Sequence, residues 1–158
     1  MTLLDWCRWI QNSSLLVAMR SSPWLFPMVA TIHLFGLAII GGSVLVVDLR
    51  LLGLGLRRQP MSRLARDAEP WLLRGLLVSV PTGVLLFMCF ATKYYYLTFF
   101  WVKMSSLLLV LLFTFSVRRS VTMSDETRIG PVWSKAVALV SLSLWTTVAI
   151  GGRWIGFP

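Results

Sequence analysis

The sequence predicts an all-α protein: an integral membrane four-helix bundle with a short N-terminal interfacial helix. Three observations predict it. Of 158 residues, 57% are hydrophobic, about the number that four spans of ~20 residues require. Charged residues make up 13%, about half the share of an ordinary soluble domain, and mean hydropathy is +0.78. The apolar residues also fall into four long runs rather than alternating with polar ones.

The N-terminal stretch, 2–19, comes first. Leu3, Trp6, Cys7, Trp9 and Ile10 are interleaved with Asp5 and Arg8, which suits a helix lying in the membrane interface. Asp5 and the polar block Gln11-Asn12-Ser13-Ser14 do not fit a cleaved signal peptide. Pro23 and Pro27 open the first span, 24–47, where a missing N–H costs nothing. The second span covers 71–91, the third 97–117 and the fourth 132–150. Each is long enough to cross about 30 Å of hydrocarbon as a helix, the form that satisfies its backbone internally. The 57–69 stretch is expected to form a separate amphipathic helix at the membrane surface, and 123–130 a polar turn. The whole chain, 1–158, reads as one membrane domain.

The net charge of +9 is arranged around the spans. Arg50, Arg57, Arg58, Arg63 and Arg66 lie between the first and second, and Arg118, Arg119, Arg128 and Lys135 between the third and fourth. Basic loops stay in the cytoplasm, so both termini are expected outside it. This placement attributes the basic charge to topology and lipid headgroups, and no nucleic-acid partner is expected. One His and two Cys supply neither a disulfide framework nor a zinc cluster.

Polar residues inside apolar runs carry the functional signal, because lipid makes them costly. His33 lies about nine residues into the first span, with Ala30 and Gly36 on its face. A neutral imidazole beside small residues suits a flat cofactor, and haem iron takes such a ligand. The competing reading is a histidine that bonds a neighbouring helix. Lys103 follows Trp101 in the third span. It either snorkels to the interface or turns inward as a second iron ligand or a cation beside a propionate or quinone oxygen. Arg153, after Gly151-Gly152, suits a carboxylate or phosphate, or simply anchors the helix end. Tyr94, Tyr95 and Tyr96 suit an aromatic belt, with Tyr95 a candidate cofactor contact. Met28, Met88, Met104, Cys7 and Cys89 fall at the same depth as His33 and offer a soft set for monovalent copper, although methionine is more often packing.

Other features read as architecture. Gly75, Ser79 and Gly83 form a small-residue stripe, as do Ser143, Thr147 and Gly151. Such stripes pack within a bundle or form a homo-oligomer seam. Asp48 and Arg74 are expected to pair across the bundle. Near Pro81, Thr82 or Ser79 is expected to satisfy the carbonyl that proline frees.

The segment Ile32-His33-Leu34-Phe35-Gly36-Leu37, then Gly41-Gly42 and Asp48-Leu49-Arg50-Leu51-Leu52-Gly53, resembles a bacterial family of uncharacterised small four-helix membrane proteins. So does the ending Gly152-Arg153-Trp154-Ile155-Gly156. That likeness spans nearly the whole chain and implies the fold and a bacterial cytoplasmic (inner) membrane. A more distant likeness, confined to the first-span His and to Trp101-Val102-Lys103, is to HemJ-type protoporphyrinogen oxidases and CopD-like membrane proteins. It implies that His33 and Lys103 are a functional pair associated with haem b.

The leading expectation is therefore a b-type haem protein serving electron transfer or porphyrin or quinone redox chemistry. His33 and Lys103 would be metal ligands, with Arg153, Tyr95 and Gly36 around the cofactor, and a quinone or redox protein as partner. The alternative is a non-catalytic membrane subunit that handles copper or a small solute, or assists assembly.

Overall fold

Lipid offers the backbone no hydrogen bonds, so every apolar run must close its own. The computed structural model of the chain, which describes residues 3–55, 59–124 and 130–155, shows this directly. Four long helices are apolar enough to cross a membrane: α3 (Leu25–Leu51), α4 (Met61–Cys89), a third span running Thr98–Met123, and α8 (Pro131–Ile155). The third is α6 (Thr98–Phe113), a π turn at Thr114–Arg118 and α7 (Arg119–Met123). Two short helices, α1 (Leu3–Gln11) and α2 (Ser14–Ser21), precede them, and α5 (Ala91–Tyr95) links the second and third spans.

The helices run up and down. One end of the bundle holds both termini and α5, and is called the terminal end. The other holds the two basic connections, and is called the basic end.

The packing is that of a bundle made for lipid. Large apolar side chains such as Leu34, Leu77 and Leu108 face outward, while Gly36, Gly75, Ser79, Ser106, Ala138 and Ser141 are buried. Without a hydrophobic drive between helices, close backbone approach supplies the contact. It is closest between α3 and α4. A Cβ on Gly75 would lie 2.7 Å from Ile40 Cγ1 and 3.0 Å from the Gly36 carbonyl oxygen, and one on Gly36 would strike Ser79 Oγ. The Gly75-Ser79-Gly83 stripe therefore packs inside the chain. Ser143 and Thr147 instead face outward, and only Gly151 of that second stripe is buried, against Lys103.

Several boundaries differ from expectation for identifiable reasons. The separate surface helix at 57–69 is not formed as such: α4 starts at Met61 and runs unbroken through Pro70 and Pro81. Met61, packed with Val47, Leu51, Val121 and Val137, forms the core of the basic end. That burial recruits the segment into the span. Arg57, Arg58 and Arg128, and most of the expected turn at 123–130, lie outside the described residues. α3 continues to Leu51 and stops in a Schellman motif: Gly53 N–H donates to the Arg50 carbonyl and Leu54 N–H to the Leu49 carbonyl. Gly53 takes φ 82° there, a conformation that costs glycine nothing.

The N-terminal segment is two helices rather than one, and both are stitched to the terminal end. Arg20 donates to the Cys89 carbonyl (3.0 Å) and the Gln11 carbonyl (2.9 Å). Gln11 Oε1 in turn accepts from the Thr92 N–H (3.0 Å) and the Thr92 hydroxyl. Leu16 and Met19 pack on Cys89, while Trp6 and Trp9 remain exposed. The cation at the C-terminus of α4 also opposes the partial negative charge of that helix end.

Candidate functional site

Two polar centres sit inside the bundle, one toward each end. At the terminal end, His33 on α3 meets the proline-containing stretch of α4. Its Nδ1 lies 3.0 Å from the Ser79 carbonyl oxygen and 3.0 Å from Thr82 Oγ1. A carbonyl can only accept. The Thr82 hydroxyl hydrogen is directed at the Val78 carbonyl, 2.7 Å away, so toward His33 it accepts as well. Nδ1 must then carry the proton, and in the neutral ring Nε2 presents a bare lone pair. No hydrogen bond to Nε2 is made among the described residues. The ring packs edge-on against Gly83, where a Cβ would come within 3.0 Å of Cε1.

Two expectations about this corner are corrected. Gly36 does not open a face for a flat ligand, because Gly75 and Ser79 occupy the space beside it; its small size serves helix approach. Neither Thr82 nor Ser79 bonds the Leu77 carbonyl that Pro81 frees. Thr82 turns to Val78 and His33, and Ser79 Oγ donates to the His33 carbonyl at 3.5 Å.

Lys103 approaches from α6. Its stem runs along Gly151 and Gly152 of α8, where added Cβ atoms would lie 3.2 Å from Lys103 Cβ and 3.4 Å from Nζ respectively. Side chains at those two positions would crowd it. Lys103 is half-buried and makes no hydrogen bond among the described residues. His33 and Lys103 both lie in the terminal half of the bundle, His33 against α4 and Lys103 against α8.

An aromatic layer lies on the terminal side of this pair. Phe87, one turn beyond Gly83, stacks on Phe100 at 5.0 Å, and Tyr94 stacks on Phe100 at 5.9 Å. Tyr94 is thus half-buried and stacked between α4 and α6 at the terminal end of the bundle. Burial pushes its phenol above the ordinary value of 10.0, with Cys89 adding to the effect. Tyr95 stands apart: its ring partners are Tyr96 and Trp101, and its carbonyl accepts from the Trp101 indole at 3.0 Å. Arg153 is exposed on the last turn of α8, next to Trp154, which stacks on Phe99 at 5.7 Å. The Phe87–Phe100 layer had a faint signal in the sequence, since Phe100 is one turn from Lys103.

The copper set is not assembled. Met28 and Met104 face outward, while Met88 packs in the Leu16–Met19–Cys89 cluster. Cys7 and Cys89 are buried and free. No group of three His, Cys, Asp or Glu side chains gathers among the described residues.

At the basic end, the expected Asp48–Arg74 pair is replaced by another. Arg118 Nε donates to Asp48 Oδ1 at 2.7 Å, Arg118 Nη2 to the Val44 carbonyl at 3.2 Å, and Ser141 Oγ to Asp48 Oδ2 at 2.6 Å. Asp48 and Ser141 are fully buried. Arg118 sits at the end of the π turn; the extra residue in that turn shifts the helical register at the point where the guanidinium enters the bundle. Arg74 stays outside, 4.9 Å over the Trp71 ring, a favourable cation–π arrangement.

These features define a class: a four-helix bundle of membrane-spanning type with two half-buried polar residues, His33 and Lys103, in its terminal half and a buried, bonded ion pair in its basic half. The chain belongs to a family of unknown function (DUF6644), which matches residues 9–158. Neither a curated protein nor a solved structure matches it.

Proposed function

We propose that this protein is a membrane redox protein in which His33 would hold haem b through Nε2. The observation that carries the reading is the tautomer imposed on His33. The Ser79 carbonyl and Thr82 hydroxyl hold the proton on Nδ1, the arrangement by which proteins orient a metal-bound imidazole and raise its basicity.

The donor chemistry fits the group. His33 supplies a neutral nitrogen, and Lys103, with no hydrogen-bond acceptor among the described residues, supplies an amine as second ligand or a cation for a propionate. Bound haem would contribute a one-electron couple. The chain's own residues fix the imidazole and leave room for it at Gly83. The likeness of the first and third spans to HemJ-type oxidases and CopD-like proteins favours the same pair. Basic connections favour a cytoplasmic basic end, termini outside and a bacterial inner membrane, with a quinone or a redox protein as electron partner.

The test is an absorption spectrum of detergent-purified protein from haem-replete cells, oxidised and then dithionite-reduced. The expected result is a Soret band that shifts, with sharp α and β bands on reduction, lost in His33→Ala while membrane insertion persists. A flat spectrum, or full pigment in His33→Ala, overturns the assignment and leaves a non-catalytic binding or assembly subunit.

A further inference from the structure

A separate feature lies at the basic end, beside the π turn. Helical serine and threonine hydroxyls in this chain commonly bond back to the carbonyl four residues earlier: Thr31 to Pro27, Ser43 to Ile39, Thr82 to Val78, Ser116 to Leu112 and Thr147 to Ser143. Thr114 does not. It is 3% exposed, yet its Oγ1 has no partner among the described residues. Buried hydroxyls are rarely left so.

Thr114 lines a cavity of about 30 Å³, together with Ser43, Leu72, Arg118, Glu69 and Arg119. Its charges are balanced in pairs, Asp48 with Arg118 at 2.7 Å and Glu69 with Arg119 at 3.1 Å, so no net charge calls for an ion. The cavity volume is the space open to the centre of a water molecule, about twice the ~10–15 Å³ that one water needs, and enough polar partners are present to hold one or two. The Glu69–Arg119 bridge is partly exposed and forms the outer rim.

We propose that this cavity is a hydration site: one or two waters bond Thr114 Oγ1 and connect the buried Asp48–Arg118 pair with the aqueous phase at the Glu69–Arg119 rim. The π turn then has two effects. It carries Arg118 to Asp48, and it frees the Thr114 hydroxyl to hold water beside that pair. The buried pair, already bonded by Ser141, is thereby joined to water through Arg118 and Thr114.

The test uses the intact protein in detergent. A brief pulse of hydroxyl radicals generated from water labels side chains that touch water, and mass spectrometry reads the site. Leu72 lines the cavity and Ile40 does not, although they share one buried cluster and are 4% and 2% exposed. Leu72 is expected to be labelled several-fold faster than Ile40, and Thr114→Leu, which fills the space, should remove the difference. Thr114→Val is the second arm. Loss of a water-bonded hydroxyl lowers the melting temperature, whereas loss of an unbonded one raises it. Equal labelling of Leu72 and Ile40, or a Thr114→Val protein that melts above the native one, overturns the proposal.

Discussion

The two polar centres of this bundle differ in how completely they are bonded. Asp48 spends both carboxylate oxygens on Arg118 and Ser141, so three spans are tied by one saturated knot. His33 spends one nitrogen on α4 and keeps the other, and Lys103, in the same half of the bundle, makes no hydrogen bond among the described residues. A saturated centre stores stability. A centre with donors left over stores reactivity, and its surroundings are built of glycine, which yields space rather than contact.

The comparison can be broken most severely at the knot. Asp48→Ala strands a buried guanidinium, a change that costs about 3–5 kcal/mol; the expected outcome in thermal unfolding is a steep loss of folded protein. Replacing Arg118 by Met in the same chain should restore much of that loss, since an apolar pair needs no partner. Next in size is the α3–α4 contact. Gly75→Val would place atoms inside Ile40 and the Gly36 backbone, and overpacking of this kind costs about 1–3 kcal/mol, visible as a lowered melting temperature.

At the other centre, effects should appear in binding before stability. Thr82→Val removes one of the two acceptors of His33 Nδ1. Loss of such an orienting partner weakens metal affinity by about 10–100-fold, which titration with haem would read, while the melting temperature moves little. Gly152→Ala is milder still: its methyl would sit 3.4 Å from Lys103 Nζ, and a small displacement of the Soret maximum is expected if the amine ligates.

The smallest effect is at Tyr94. Its phenol ionises higher in the folded chain than in the unfolded one, so its contribution to stability is complete below pH 10.0 and is lost as pH rises through the folded value. Tyr94→Phe should flatten the alkaline limb of the stability profile.

The sequence by itself determined four spans and their order, because lipid forces each long apolar run to satisfy its own backbone. The family resemblance to uncharacterised four-helix membrane proteins agrees with the family match over residues 9–158. Which way each helix turns was not legible. In a soluble helix, apolar and polar faces report the core; here both lipid and core accept leucine, and α3 has almost no hydrophobic asymmetry around its axis. Two similar small-residue stripes therefore had opposite fates, Gly75-Ser79-Gly83 turned inward and Ser143-Thr147 outward. The partner of Asp48 was hidden for a related reason. Arg118 reads as one of a pair of loop-flanking cations, and only the π turn, a break in the regular 3.6-residue period, carries it into the bundle. Tertiary packing decided these matters because close backbone approach and buried hydrogen bonds depend on helix rotation, to which apolar content is blind.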